Sequence, residues 1–459
     1  MELNIEYIFI LCVLYINDIG DDLMNNHMDI PWHEYTNKDS KVKIENASLT
    51  EKSSVIGRIG LMLLACGTGA WRVRSSMNTI ASELNITCIA DIGLTNISYT
   101  CIDGIDSHAQ SLSLHNTSVN TSKLARMEDF VYHFKDECKT CTCNEIHNQL
   151  DQIESIHSSY SPIILGLAAA LACSCFTFLL GGGPIEMLCA FVGAGLGNTL
   201  RMKLIKHNYT LFLNVAASVS LACLVYALLF NFLETCFGIA TQHEAGYICS
   251  MLFIIPGFPF ITSGIDLAKL DLRSGLERLA YAIIIILAAT LTAWICALVL
   301  HLQPVDFVKL HISTSTKLLL RLLTSFGGVF GFSIMFNSSK KIAASAGCIG
   351  AIANTLRLTL VDLSLPAAAA AFIGALTAGL LASMIKGNTG YPRIAITVPS
   401  IVIMVPGLYM YRAIYNLELA ATMSIGANWL IQSLLIVLAL PMGLIFARIL
   451  TDPSFRYCT

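Results

Sequence analysis

Two proline–glycine pairs and a few polar side chains stand out because each lies in an otherwise apolar stretch. Pro256-Gly257 interrupts MLFIIPGFPFITSGIDLAKLDLRSGLER (251–278), with Asp266 near the end of the apolar run. Pro406-Gly407 interrupts IVIMVPGLYMYRAIYN (401–416). Proline has no N–H to give a helix and glycine no Cβ to restrain it, so both helices are expected to bend or unwind there. Inside a bilayer such a break must line a cavity or be covered by protein, and carriers hold solutes and ions at such breaks. Asp266 could take up a proton or pair with an ammonium group, since acids inside apolar segments are costly and usually functional. The plain alternative is an interfacial acid paired with Lys269 or Arg273. Glu186, beside Gly181-Gly182-Gly183-Pro184, could act similarly or simply favour the positive end of a helix. Arg357 and Arg201 could bind a carboxylate bidentately or snorkel to the headgroups. Asn198, Asn354 and Asn337 could touch a solute or bond helix to helix.

The elements that must position these residues are membrane helices. The chain has 459 residues, 55% hydrophobic and 13% charged, against about 25% charged in soluble domains. Ten apolar segments follow residue 160, at roughly 162–180, 185–200, 209–233, 246–266, 279–302, 318–336, 342–357, 366–385, 394–414 and 427–450. Alternate loops and the C-terminal end carry twelve positive charges: Arg201, Lys203, Lys206, Lys269, Arg273, Arg278, Lys340, Lys341, Lys386, Arg393, Arg448 and Arg456. The opposite loops carry five, Lys309, Lys317, Arg321, Arg357 and Arg412. The positive-inside rule then puts both termini in the cytoplasm of a multi-pass protein of the cell (plasma or inner) membrane.

Residues 1–53 read as a flexible leader, with an apolar extension at 5–16 that lacks the positive flank of a secretory signal. Residues 54–160 read as a small cytoplasmic α+β domain: one or two helices over 54–85, short strands over 86–102, a polar loop over 108–122, and helices over 123–134 and 144–157. The run 55–66 is too short to span a bilayer. Cys138, Cys141, Cys143 and His147 are spaced irregularly for a metal site, so no metal is expected, and the thiols fit a reducing compartment. Cysteines in the apolar runs read as small packing residues. Five Asn-x-Ser/Thr sequons between Asn46 and Asn120 matter only on a luminal face. No Walker A sequence, no G-x-S-x-G and no histidine in the central apolar runs appear. Direct ATP drive, intramembrane hydrolysis and other catalysis are therefore not expected, nor is a cofactor or a nucleic-acid partner.

Asn198-Thr199-Leu200-Arg201 recurs as Asn354-Thr355-Leu356-Arg357, each ending the second segment of a group of five, and the Pro-Gly pairs recur in the fourth. Five is odd, so the second group enters from the other side. The expected fold is an α-helical polytopic membrane protein with about ten transmembrane helices in a 5+5 inverted repeat, 161–305 and 306–459, with the solute held at the repeat interface.

Several stretches resemble the threonine/serine exporter family. In the first half these are LLACGTGAWRVRSSMNTIASELN, LLGGGPIE, PGFPFITSGIDL and GLERLAYA; in the second, FGGVFGFSIMFN, GCIGAIANTLR and GYPRIAITVPSIVIMVPGLYMYRAI. The resemblance covers about residues 54–445, and residues 86–135 depart from the family pattern. It implies export of threonine and serine driven by the proton gradient. In some members the two modules are separate chains, and one such pair is associated with succinate export, so a dicarboxylate is the alternative solute. The partners expected are the solute, a proton and the lipid bilayer, with a homo-oligomer left open.

Overall fold

The computed structural model describes residues 30–35, 41–114, 117–156, 159–238, 246–300, 302, 312–389, 392–418 and 422–456. The expected apolar extension at 5–16 and Lys309 lie outside the described residues.

Two hydrophobic cores organise the chain. The first belongs to an N-terminal unit. Its central helix α1 (Leu49–Ala65) starts at a capping box in which Ser48 and Glu51 satisfy each other's backbone N–H. It is buried along nearly its whole length, which explains an apolar run too short for a membrane. Around it pack α2 (Ala70–Glu83), α3 (Thr121–Glu137), α4 (Cys143–Glu154) and an antiparallel meander of β1 (Thr87–Ile92), β2 (Asn96–Asp103) and β3 (Asp106–Ser113). Alternate residues Cys88, Ala90 and Ile92, and Ile97, Tyr99 and Cys101, turn inward, as a half-buried sheet requires. The expected loop at 108–122 is partly wrong: 108–113 is the edge strand β3, paired in register with β2. Trp32 and Ile44, inside the expected leader, are buried in this core.

The second core is a helical bundle. In order come α5 (Pro162–Leu179), α6 (Pro184–Lys206), α7 (Leu211–Phe237), the short α8 (Tyr247–Ser250), α9 (Gly257–Ala268) and α10 (Leu272–Val299). Then follow α11 (Thr314–Met335), α12 (Lys340–Asp362), α13 (Ala367–Thr389), α14 (Arg393–Val402), α15 (Gly407–Glu418) and α16 (Met423–Thr451). Among the described residues, seven helices are long and apolar enough to cross a membrane, nine if each of two bent pairs counts as one span. The chain is a polytopic helical membrane protein. The one expected segment not among these nine, 185–200, lies in α6, which is long enough to span but carries Glu186, Arg201, Lys203 and Lys206.

The N-terminal unit docks on one end of this bundle, with hydrogen bonds and ion pairs at two places. One is the α9–α10 corner, where Arg273 pairs with Asp91 and Arg74 with Asp271, and the Leu94 N–H donates to Glu277 (2.6 Å). The other is the turn after α11. There Asn337 adopts φ 59°, a left-handed conformation that asparagine tolerates better than most residues. Its carbonyl accepts from Ser122 (2.7 Å), its side chain from the Ser159 N–H (2.9 Å), and Thr121 bonds to Ser338 (2.7 Å).

Candidate functional site

Both proline–glycine pairs break their helices. The chain bends by 52° between 247–254 and 257–268, and by 49° between 393–402 and 407–417. The local cause is the same. The Gly257 N–H donates to the Ile255 carbonyl (2.8 Å) and the Gly407 N–H to Val405 (2.9 Å), each closing a three-residue turn over the proline. Pro256 at φ −80°, ψ 59° has the inverse γ-turn geometry. The two breaks nest against each other. A Cβ on Gly257 would come to 3.2 Å from Val402, and one on Gly407 to 1.8 Å from Ile255. Beyond the crossing, the hydroxyls of Tyr247 and Tyr411 share a 2.5 Å hydrogen bond.

From its break α9 runs toward the N-terminal unit and ends at Asp266, which is fully buried. One carboxylate oxygen accepts from the Ala70 N–H (3.1 Å) and Ser274 Oγ (3.0 Å) and lies 3.2 Å from Arg278 Nε. The expected partners were Lys269 or Arg273, and that expectation is corrected. Lys269 donates to the Phe455 carbonyl (2.6 Å), and Arg273 pairs with Asp91 and Glu277. Arg278 lies one helical stretch beyond them, on the face of α10 that turns back to α9. Its Nη atoms donate to the Thr68 carbonyl (2.7 Å) and the Gly67 carbonyl (3.3 Å). The corner Gly67–Ala70 therefore roofs the pair. Beside it remains a cavity of about 40 Å³, bordered by Trp71, Arg393, Arg448 and Phe455, room for a few waters and no solute. Arg448 lies over the rings of Phe455 (4.2 Å) and Trp71 (4.5 Å).

From the second break α15 runs the other way. Pro406 lines a cavity of about 730 Å³, within the usual range for small-molecule sites. Among the described residues its charged lining is Lys317, Arg321, Arg357 and Arg412, with no Asp or Glu. Asp362 pairs with Lys317 (3.1 Å) and Arg321 (2.6 Å) at the rim. Arg412 lies over Trp429 at 5.3 Å. Arg357 donates from Nε to Asn354 Oδ1 (2.9 Å), and Asn354 donates to Ser325 on α11 (2.9 Å).

The structure thus brings Pro256, Gly257, Pro406 and Gly407 together at the crossing, and places Arg357 and Asn354 in or behind the large cavity. Asp266 lines only the small one. Asn198 lies elsewhere, donating from α6 to the Leu165 carbonyl of α5 (2.9 Å). Glu186 accepts from the Gly183 N–H (2.8 Å) at the start of α6, and Arg201 lines neither cavity. Asn337 is a docking point for the N-terminal unit. The residues that sequence reasoning missed are Arg278, Arg321 and Arg412, each counted only as a loop charge, and the roof Gly67–Ala70. Cys138, Cys141 and Cys143 face different acceptors, Gln149, Glu137 and Glu51. Burial pushes the Cys138 and Cys143 thiols up to about 12.

A "Probable threonine/serine exporter" of Mycobacterium tuberculosis is 22% identical over 418 residues, covering 87% of this chain and 76% of the relative. An "Uncharacterized protein" of Haemophilus influenzae is 26% identical over 168 residues, 33% of this chain and 56% of that protein. No solved structure matches. Models of threonine/serine exporters match residues 54–300 and again 321–450. More than half of the sequence is matched by the first alone, and the chain belongs to the threonine/serine exporter family, a family of transporters and not of enzymes.

Proposed function

We propose that this chain is a secondary carrier that exports threonine and serine across the cell membrane by alternating access, drawing on the proton gradient. One observation supports this above the others. Two bent helices cross at their breaks, between a cavity large enough for a solute at one end and a cavity roofed by the N-terminal unit at the other. In this reading Pro256, Gly257, Pro406 and Gly407 are the hinges. Residues 161–305 and 306–459 act as two inverted five-helix repeats, and residues 54–160 close the cytoplasmic side. The counterpart bonds of Asn198 to α5 and Asn354 to α11 support the repeat. Protonation of Asp266 would remove the charge that Arg278 pairs with and so release the Gly67–Ala70 roof, which couples proton entry to opening.

The test is counterflow in proteoliposomes with labelled threonine, serine and succinate, with and without a pH gradient. Threonine or serine exchange that gains uphill export from the gradient is the expected result; no exchange of any of the three would sink the reading. Asp266→Asn is expected to keep exchange and lose gradient-driven export. For topology, Cys138 and Cys143 are poor reporters because they are buried, and the exposed Cys236 and Cys348 are first replaced by serine. Ile105, fully exposed at the β2–β3 turn, is better: Ile105→Cys should react with an impermeant thiol reagent only after cells are opened. A second reading, dicarboxylate export, is favoured by one feature, the large cavity's lining of cations without a carboxylate among the described residues.

A further inference from the structure

We propose that Arg357 is the carboxylate-binding group of the large cavity, aimed by Asn354. The inference rests on the transport reading above and names the part of the solute that this end of the pathway recognises. Four cations border the cavity, but they are not equivalent. Arg321 and Lys317 are engaged by Asp362, Arg321 through two hydrogen bonds (2.6 and 3.2 Å). Arg412 lies over Trp429. Arg357 is different: its Nε is fixed by Asn354 Oδ1, and among the described residues no group accepts from Nη1 or Nη2. Asn354 is fully buried and is itself oriented by Ser325. The guanidinium is therefore held from behind with its outer edge on the cavity.

Two parallel N–H donors on a fixed plane match the two oxygens of a carboxylate, a match that lysine's single ammonium does not offer. The N-terminal end of α15 adds its positive pole, since Pro406, Leu408 and Tyr409 all line the same space. Among the described residues no acidic side chain lines the cavity to receive an ammonium group. The recognised chemistry is thus a carboxylate, carried by either a zwitterionic amino acid or a dicarboxylate.

The experiment uses the full chain, purified and reconstituted. Thermal stabilisation and counterflow are measured with L-threonine, L-serine, succinate and threoninol, which lacks the carboxylate. Wild type should be stabilised by at least one carboxylate solute and not by threoninol. The arm that responds tells amino acid from dicarboxylate. Arg357→Gln should weaken the responding solute about ten- to hundredfold, read as the ligand-induced shift from the variant's own ligand-free unfolding temperature. Arg357→Lys should recover only part of the loss, and Asn354→Ala, which frees the guanidinium to wander, should raise KM more than it lowers the maximal rate. Stabilisation by threoninol equal to that by threonine, or wild-type affinity in Arg357→Gln, would overturn the assignment. Wild-type counterflow failing for every solute while Arg357-dependent stabilisation persists would remove the transport reading and keep the site. No stabilisation of wild type by any carboxylate overturns the site itself.

Discussion

Arg278 and Arg357 are guanidinium groups on membrane helices at opposite ends of one bundle. At 1.5 Å per residue, α12 carries Arg357 about 27 Å from Ser339, which sits at the docked end. Arg278 is buried, paired with a buried acid and hydrogen-bonded to two carbonyls of another unit. Arg357 is half-buried, has no acid of its own, and faces open space. Neutralisation and desolvation go together at the closed end, whereas the open one is left without an acid. A charge taken from water must be compensated almost completely, whereas one left in a wet cavity can wait for a ligand. The first arrangement holds parts of the protein together, and the second holds a place for something else.

The comparison breaks most readily at Arg278. Arg278→Met leaves Asp266 buried without its cation, which costs about 3–5 kcal/mol in comparable sites. Arg357→Met strands no charge and leaves only the buried Asn354 Oδ1 without its donor, so it should cost less, about 1–2 kcal/mol. Thermal unfolding of both variants in the same detergent decides it, and equal losses would mean the two ends are not held differently. Gly69→Ala comes next. The new Cβ would lie 2.5 Å from the Asp266 oxygen that has no hydrogen-bond partner, while φ of −68° at this position is available to alanine. The whole effect is therefore steric, about 1–3 kcal/mol. Amide exchange over 66–72 should speed up, with 354–358 unchanged.

How far this contrast is legible in the sequence differs by residue. Both breaks are, because a Pro-Gly pair in an apolar run has few other readings, and Arg357 stands out as a charge in such a run. The Asp266–Arg278 pair is not. The partner lies twelve residues on, across a helix reversal that brings α10 back along α9, and two nearer cations compete on paper. The roof is legible only as a glycine-rich interruption, since its contact with Asp266 spans 196 residues. β3 was missed because only Leu112 of its eight residues is buried, and an edge strand facing water leaves no apolar alternation to read.

Beyond the crossing, Tyr411→Phe removes one side of the 2.5 Å Tyr247–Tyr411 bond and leaves the other hydroxyl buried. The cost should be about 1–2 kcal/mol, read by thermal unfolding. It should leave exchange over 66–72 untouched, because this bond sits on the open side of the breaks. Faster exchange at the roof in this variant would show that the two ends are mechanically one.

The smallest effect separates the two ends by pH. His147 is fully buried in the N-terminal unit, between Ser54 (3.1 Å) and Arg58 (3.3 Å), with Trp32 stacked on its ring. His33 lies edge-on at 5.8 Å, and Asp151 pairs with both Arg58 and His33. Burial first, and then Arg58 and His33, hold the imidazole's pKa down at about 3, against a weaker opposing pull from Asp151. In the unfolded chain the same histidine titrates near 6.5. Between those values the unfolded chain binds a proton that the folded unit refuses, so stability rises with pH across the window. The contribution is fully present above about pH 6.5 and is lost as pH falls toward 3, about 1 kcal/mol by pH 5.5. Among the described residues nothing comparable lines the large cavity, where the charged groups are Lys and Arg. Lowering the pH from 7.5 to 5.5 should therefore reduce amide protection in α1 and α4, taken relative to the intrinsic exchange rate at each pH, and leave protection of the helix around Arg357 as it was. His147→Gln, which cannot take up the proton, should flatten the response. An unchanged pH response in that variant would move the acid sensitivity of the docked end to some other group.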